Sequence, residues 1–369
     1  MRRLFAVLVF GSLVGAMLVP AAALAAAPVS QLRAHPMLRV HAQAATTTPS
    51  GMSPGLIKGA YGFTSSLTAG SGRTIAIVDA YDDPSAEADL GVFDGQFGLP
   101  ACTTADGCFK KVSQSGGTKY PAADAGWSLE IALDVEWAHA IAPGAHILLV
   151  EATTPSLGNL LAAENYAKGH AQYVSNSWGT GEFSLEHFYD GFFSATGVSV
   201  FAASGDTGEP GIWPSTSPNV VSVGGTTLTL NADGSVASET GWSGSGGGCS
   251  KYEKATTAQA GFATYGQVSC AGKRAIPDVA LDADPNTGVA VYDTVPSGNS
   301  QAWYQVGGTS ASTPMWAARS ADAGVVVNAA YVYGSAIPYR DITVGNNGAS
   351  CLPGYDLVTG RGSWTGANP

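Results

Sequence analysis

The chain has 369 residues, 48 of them glycine, with 45% hydrophobic and only 12% charged residues and a formal net charge of −11. That length admits one large α/β domain or two small ones, and the apolar content is ample for a sizeable core. A negative chain so poor in Lys and Arg excludes nucleic acid and anionic membrane surfaces as partners, and carboxylate protonation below neutrality would remove much of the charge.

At the N-terminus, Arg2 and Arg3 precede an apolar run from Leu4 to Leu24 that closes on Ala23, Leu24 and Ala25. This is the layout of a secretory signal peptide over residues 1–25, cleaved after Ala25. The break at Pro20 and the alanine-rich end favour it over a membrane anchor. No later segment is apolar enough to span a bilayer, so the mature protein is expected to be soluble, secreted and extracellular. Residues 26–55 are rich in Ala, Thr, Ser and Pro without periodicity, the composition of a flexible leader, and residues 56–369 form the domain.

Within that domain the pattern alternates. Short β-branched apolar runs fall at Thr74 to Asp79 (TIAIVD), His146 to Glu151 (HILLVE), Gln172 to Ser177, Val198 to Ala203 and Val220 to Gly224, and helical stretches at Pro84 to Phe97, Trp127 to Ile141 and Leu157 to Ala167. Such alternation predicts a doubly wound, mostly parallel α/β sheet with helices on both faces. Active sites in such folds gather beyond the carboxyl ends of the strands. From Thr226 to Trp242 the period changes to two, with a hairpin turn at Ala232, Asp233 and Gly234, and a Gly-rich irregular stretch, Ser243 to Ser250, follows. No internal repeat or second core is visible, so a single domain is expected.

Five cysteines in an exported chain suggest two disulfides and one left over. Cys102 and Cys108 are close enough to pin a loop, Cys249 and Cys270 bracket an irregular stretch, and Cys351 remains unpaired. Nothing has zinc-site spacing, since no CxxC occurs and the histidines are scattered.

Three segments could carry chemistry. In the helix Trp127 to Ile141, Glu130 and Asp134 stand four residues apart and so share a face, with Glu136 turned away. Two neighbouring carboxyls cannot both ionise cheaply and hold a shared proton tightly. A solvated acidic face would explain them equally well, but Trp127, Ile131, Val135, Ala138 and Ile141 mark a mostly buried helix, where unpaired acids are costly. Next, GGTSASTP (Gly307 to Pro314) presents Ser310 from a Gly-Gly-Thr turn at a helix start, with little steric cover and positive partial charge behind it. An ordinary helix cap is the competing reading. Finally, FAASGDTG (Phe201 to Gly208) runs a buried strand into Asp206, which would point over the sheet edge and, protonated, could donate to a developing oxyanion.

Together these segments resemble the sedolisin family of serine-carboxyl peptidases, acid-active relatives of the subtilisins. The resemblance runs from GAYGF at Gly59 to the C-terminus. It is strongest in SLEIALDVEWAHAIAPGA (Ser128 to Ala145), FAASGDTG, WPSTSPNVVSVGGT (Trp213 to Thr226) and GGTSASTP. It implies a subtilisin-like fold, a catalytic triad of Ser310, Glu130 and Asp134, and Asp206 in the oxyanion hole. It also implies one structural Ca²⁺ ion in DITVGNNG (Asp341 to Gly348) and PGYDLVTG (Pro353 to Gly360), held by carboxylates of Asp341 and Asp356 and main-chain carbonyls of Ile342, Leu352 and Gly354. Hard oxygen ligands of this kind suit Ca²⁺. The family usually has Gly where Leu352 stands, a change that a carbonyl ligand tolerates. Family members usually carry a long propeptide, whereas only residues 26–55 separate the signal peptide from the domain here, so maturation is expected to differ. The interval from Pro314 to Asp341 is also shorter than the family norm, with no catalytic position lost.

These readings predict a monomeric, secreted endopeptidase acting at acid pH on extended polypeptide. Glu130 takes the Ser310 proton, Asp134 holds Glu130, an acyl-enzyme forms, and Trp178 and Gly179 line the cleft beside the substrate. Subtilisin-type chemistry would need a histidine base, yet none lies in an HGT-like setting, and His139 is more than two turns beyond Glu130. Asp79, at the end of the first strand, is assigned at most a supporting place. The alternative is a non-catalytic secreted pseudoenzyme or binding module on the same scaffold.

Overall fold

A computed structural model of the chain describes residues 29–42, 45–295, 302–334 and 338–366; the expected signal peptide over residues 1–25 lies outside the described residues. Ten strands form the main sheet: β1 (Thr74–Ala80), β2 (Phe109–Ser113), β3 (His146–Ala152), β4 (Tyr173–Asn176), β5 (Ser199–Ala203), β6 (Val221–Leu230), β7 (Val236–Gly241), β8 (Val279–Asp282), β9 (Tyr339–Arg340) and β10 (Ser363–Trp364). Their order across the sheet is β9-β10-β8-β6-β5-β4-β1-β3-β2, with β7 hydrogen-bonded to β6. All pairings are parallel except β6 with β7, the hairpin expected around Asp233, and β9 with β10.

Alternating residues send the sheet's two faces into two cores. Ile75, Ile77, Ile147, Leu149 and Phe201 face helices α1 (Ala86–Phe97), α2 (Ala125–Ile141) and α4 (Thr309–Ala323). Their neighbours Ala76, Val78, Leu148, Val150 and Ala202 face α3 (Leu157–Ala167) and the rings of Trp178, Phe193 and Trp213. Burial on both faces is why these strands read as continuous apolar runs. The α1 helix starts two residues later than Pro84 because Asp83 accepts from the amide and hydroxyl of Ser85 and closes its own turn first. Disulfides join Cys102 to Cys108 and Cys249 to Cys270, and Cys351 is buried and free, as the spacings suggested.

The described part of the segment expected as a flexible leader is held against the domain. His35–Pro36 pairs with Trp178 and Gly179, Arg39–Val40 with Gly307 and Val306, Thr46 bridges to Trp303, and Met52 bridges to Val289 before the helix Pro54–Tyr61. Composition misleads at this point because the order comes from main-chain hydrogen bonds to distant strand edges, which need no side-chain periodicity.

Candidate active site

The site is assembled where β1, β4 and β5 end. Asp124 caps α2, accepting from the amides of Gly126 and Trp127 at 3.1 Å. Every residue from Trp127 to Ile141 is buried, so both carboxyls of the motif lie inside the protein. The helix α4, which carries Ser310 on its first turn, packs against α2. Gly308 precedes it with φ of 94°. A Cβ there would collide with the Met37 carbonyl oxygen and come 2.6 Å from Asp206 Oδ2, so only glycine lets the chain enter α4 at this point.

Glu130 and Asp134 are fully buried, as is Asp79 at the end of β1. Burial first, then the charges of Asp134 and Asp79, hold the Glu130 pKa well above its ordinary value, while the neighbouring Ser310 hydroxyl lowers it. Asp134 is likewise raised, by burial and by Asp79, against a hydrogen bond from Ser177 Oγ at 2.9 Å. Burial also pushes Asp79 to about 8. Neither carboxylate oxygen of Glu130 or of Asp79, nor Asp134 Oδ2, has an aligned hydrogen-bond partner. The Ser310 hydroxyl instead donates to the Ser177 carbonyl oxygen at 3.3 Å. Protons shared among these acids are the cheapest way to keep three carboxyls in one dry space.

Asp206 follows β5 and turns back onto α4. Its Oδ1 accepts from the amide of Thr309 at 2.8 Å and the Thr309 hydroxyl at 3.0 Å, leaving Oδ2 buried without a hydrogen bond. Burial raises its pKa to about 7, against the two Thr309 bonds and the charge of Arg39, whose Nε lies 3.6 Å from Oδ2. A neutral Asp206 is therefore an O–H donor aimed at the same space as the Ser310 amide.

The main chain of Trp178 and Gly179 pairs antiparallel with Pro36 and His35. The Trp178 indole is turned into the core, donating to the Val78 carbonyl at 3.0 Å. Asp79 and Ser177 are the site residues that sequence reasoning under-weighted. The signal for Asp79 was an acid following the apolar run Ile75 to Val78 near the end of the strand. Ser177 has no sequence signal of its own, since its value lies in reaching Asp134 across the fold. His139 is engaged elsewhere, with Nε2 2.9 Å from the Pro100 carbonyl oxygen and 3.4 Å from Asp94.

For a cation the C-terminal turn fits. Both Asp341 carboxylate oxygens accept from the Gly354 amide at 3.0 and 3.1 Å, and Asp356 accepts from the amides of Leu352, Val358 and Thr359 at 2.7 to 3.2 Å. Two carboxylates are thus held by main-chain amides of one turn, and carboxylate oxygens are the hard donors that suit Ca²⁺. Burial raises Asp356 to about 6, a cost that a bound cation would offset. A separate group of buried carboxylates, Asp83, Asp89 and Asp293, lies with oxygens within 4.8 Å of one another.

The model of the subtilase family matches residues 125–326, a span that holds Glu130, Asp134, Asp206 and Ser310, and the chain belongs to that family. Kumamolisin of Bacillus sp. (strain MN-32) is 31% identical over 385 residues, covering 92% of this chain and 66% of that protein. Sedolisin of Pseudomonas sp. (strain 101) is 33% identical over 176 residues, 41% of this chain and 28% of that protein. The solved structure of Pseudomonas sedolisin, a serine-carboxyl proteinase complexed with two molecules of pseudo-iodotyrostatin, matches with a TM-score of 0.72 at 27% identity over 87% of this chain and 96% of that one. Within the subtilases the protein is thus of the sedolisin type, spanning just under two thirds of the length of kumamolisin.

Proposed function

We propose that the protein is a secreted serine-carboxyl endopeptidase that hydrolyses extended polypeptide at acid pH. The observation that carries the reading is the meeting of two fully buried carboxyls, Glu130 and Asp134, with Ser310 at the end of a cleft whose edges pair with an extended strand. Glu130 accepts the Ser310 proton as Oγ attacks the scissile carbonyl, and Asp134, oriented by Ser177, shares a proton with Glu130. The Ser310 amide and protonated Asp206 stabilise the oxyanion. The leaving amine takes the proton from Glu130, and water then releases the acyl-enzyme. Raising the pH removes the shared proton and the Asp206 donor, so cleavage fails toward neutrality. Trp178 and Gly179 supply the main-chain edge along which the substrate is registered. Asp341 and Asp356, with the carbonyls of Ile342, Leu352 and Gly354, would hold one Ca²⁺ that stiffens the C-terminal turn. The working unit is a monomer.

The test is digestion of an unfolded protein at pH 4 and pH 7 by the purified chain and by Ser310→Ala. Cleavage is expected only from the wild type, only in acid, and to be blocked by a peptide aldehyde. Equal cleavage by the two proteins would end the proposal.

A further inference from the structure

Away from the Ser310 cleft, three acids from three separate elements converge in the core. Asp83 lies in the turn that follows β1, Asp89 in the first turn of α1, and Asp293 directly after the strand Val289–Tyr292. None is more than 3% exposed, and one carboxylate oxygen from each lies within 4.8 Å of the others. Asp83 Oδ1 accepts from the amide and the hydroxyl of Ser85 at 2.9 and 3.0 Å. Asp89 Oδ2 accepts from the same Ser85 hydroxyl at 2.6 Å and from the Thr294 amide at 2.9 Å. Asp293 accepts from the Val295 amide and, across the core, from the Ser128 hydroxyl, both at 2.9 Å.

What these bonds leave unmet points to a ligand. The donors are neutral amides and hydroxyls, and the one Ser85 hydroxyl proton stands between two carboxylates, so it serves one of them at a time. Asp83 Oδ2, on a wholly buried side chain, has no partner. Lys111, whose charge reaches Asp83, is bonded instead to Asp82 Oδ1 at 2.6 Å and to the Asp83 carbonyl oxygen at 2.8 Å. The other ionisable groups packed against the cluster are themselves buried acids, Glu136 of α2 and Glu151 of β3, the latter accepting from the Asp83 amide at 3.1 Å. Burial first, then the charge of Asp89, lifts Asp83 to about 6 against its Ser85 bonds, and burial with the charges of Asp83 and Asp89 lifts Asp293 to about 7. Carboxylates removed from water in this way need a counter-charge that neutral donors do not supply.

We propose that Asp83, Asp89 and Asp293 hold a Ca²⁺ ion, a second cation site that shares no residue with the C-terminal turn. It goes beyond the proposed function and does not depend on the reading of Ser310. Ca²⁺ takes carboxylate oxygens at about 2.3–2.6 Å, so two ligands on opposite sides of it stand about 5 Å apart, the span within which these three meet. Mg²⁺ gives up its water reluctantly and is usually held by one or two carboxylates, whereas three carboxylates closed off from solvent suit the ion that dehydrates more readily. The ion ties together the turn four residues beyond Asp79, the start of α1 and, through Ser128, the turn of α2 that carries Glu130. It braces the acids of the cleft from behind and takes no part in their chemistry.

The experiment strips the purified full chain of metal and titrates it with CaCl₂ by calorimetry at pH 8, because protons on these carboxyls compete with the ion and leave it at least tenfold more weakly bound at pH 6. Asp341→Ala disables the C-terminal turn, and Asp293→Asn removes one charge from the core cluster while keeping an acceptor for the Val295 amide. The wild type is expected to take up two ions, each single variant one, and the double variant none. One ion in both the wild type and Asp341→Ala, lost with Asp293→Asn, also supports the core site and removes the C-terminal one. Melting temperature gives a reading that a merely structural Asp293 would not. In the Asp341→Ala background, Asp293→Asn should melt at or above its parent in chelator, having one buried charge fewer. It should melt below the parent once Ca²⁺, a hundredfold above the Kd, has raised the parent by about 4 °C. Should Asp293→Asn fail to fold, Asp83→Asn is read in the same way. The inference is overturned if Asp341→Ala takes up no Ca²⁺, if its uptake survives the asparagine substitution, or if Mg²⁺ binds there more tightly than Ca²⁺.

Discussion

The proposed mechanism gives Asp206 two roles, which removing its carboxyl separates. Oδ1 is occupied by the Thr309 amide and hydroxyl, whereas Oδ2 is buried, without a hydrogen bond, beside the Met37 carbonyl that accepts from the Ser310 amide. Asp206→Ala deletes the O–H donor to the oxyanion, a loss of about 10²–10³ in kcat, or roughly 2.7–4 kcal/mol of transition-state stabilisation. It also orphans the buried Thr309 amide, at about 1–3 kcal/mol of stability. Asp206→Asn keeps an acceptor for Thr309 and places an N–H donor at the Oδ2 position, so it should recover kcat to within about tenfold of wild type. The assay is kcat and KM on an unfolded peptide at pH 4, with melting temperature to follow the fold. A large fall in kcat with little change in KM is expected for the alanine variant. If Asp206→Ala melts earlier yet keeps kcat within threefold, Asp206 is an anchor for Thr309 and takes no part in oxyanion stabilisation.

Stability should fall as pH rises. Burial lifts Asp206 to about 7, Asp79 and Glu164 to about 8 and Glu151 to about 9. Acids with a higher pKa folded than unfolded contribute fully below about pH 4 and lose that contribution as pH climbs through 7 to 9, so the melting temperature should be several degrees lower at pH 8 than at pH 4. At the C-terminal turn, a chelator at pH 6 should lower the melting temperature of wild type by about 4 °C, as expected for a site saturated about a hundredfold above its Kd, and leave Asp341→Ala unaffected. An identical chelator response in both proteins would remove the cation from Asp341.

How much of this was legible follows from where each signal lives. Strands such as TIAIVD and HILLVE declare themselves because both faces are buried, so their middle positions, Ile75 to Val78 and Ile147 to Val150, are all apolar. Ser310 and Asp206 were legible because each sits where a regular element meets a turn, and Glu130 and Asp134 because two acids four residues apart interrupt an otherwise apolar buried helix. Two features were not. Asp79 reads as one acid among several near Asp82 and Asp83, and only the parallel pairing of β1 between β3 and β4 brings it against α2. The order of residues 34–41 is likewise made by partners more than a hundred positions away, from Pro155 to Ser310, and nothing in the segment's own composition encodes it.

In the proposed mechanism, catalysis and stability draw on the same protons. Glu130, Asp134 and Asp79 have no accessible surface, and among the described residues the charges nearest them are those of other carboxyls, Asp206 included. A cation placed among them would lower their pKa values and let the dyad ionise fully, which would leave Ser310 beside charged carboxylates but deprive the oxyanion of its proton-bearing neighbour. The fold avoids this by surrounding the acids with apolar helix and strand, and the consequence is an unfavourable charged state at neutral pH. Loss of activity and loss of structural tightness on raising the pH should therefore begin together, in the one region where α2, α4 and the end of β1 meet. Exchange-protected amides of α2 should open earlier than those of α3, which packs on the opposite face of the sheet and carries a single buried acid, Glu164, of its own. Protection lost first in α3 would place the pH-sensitive element elsewhere and break the link between the catalytic protons and the fold.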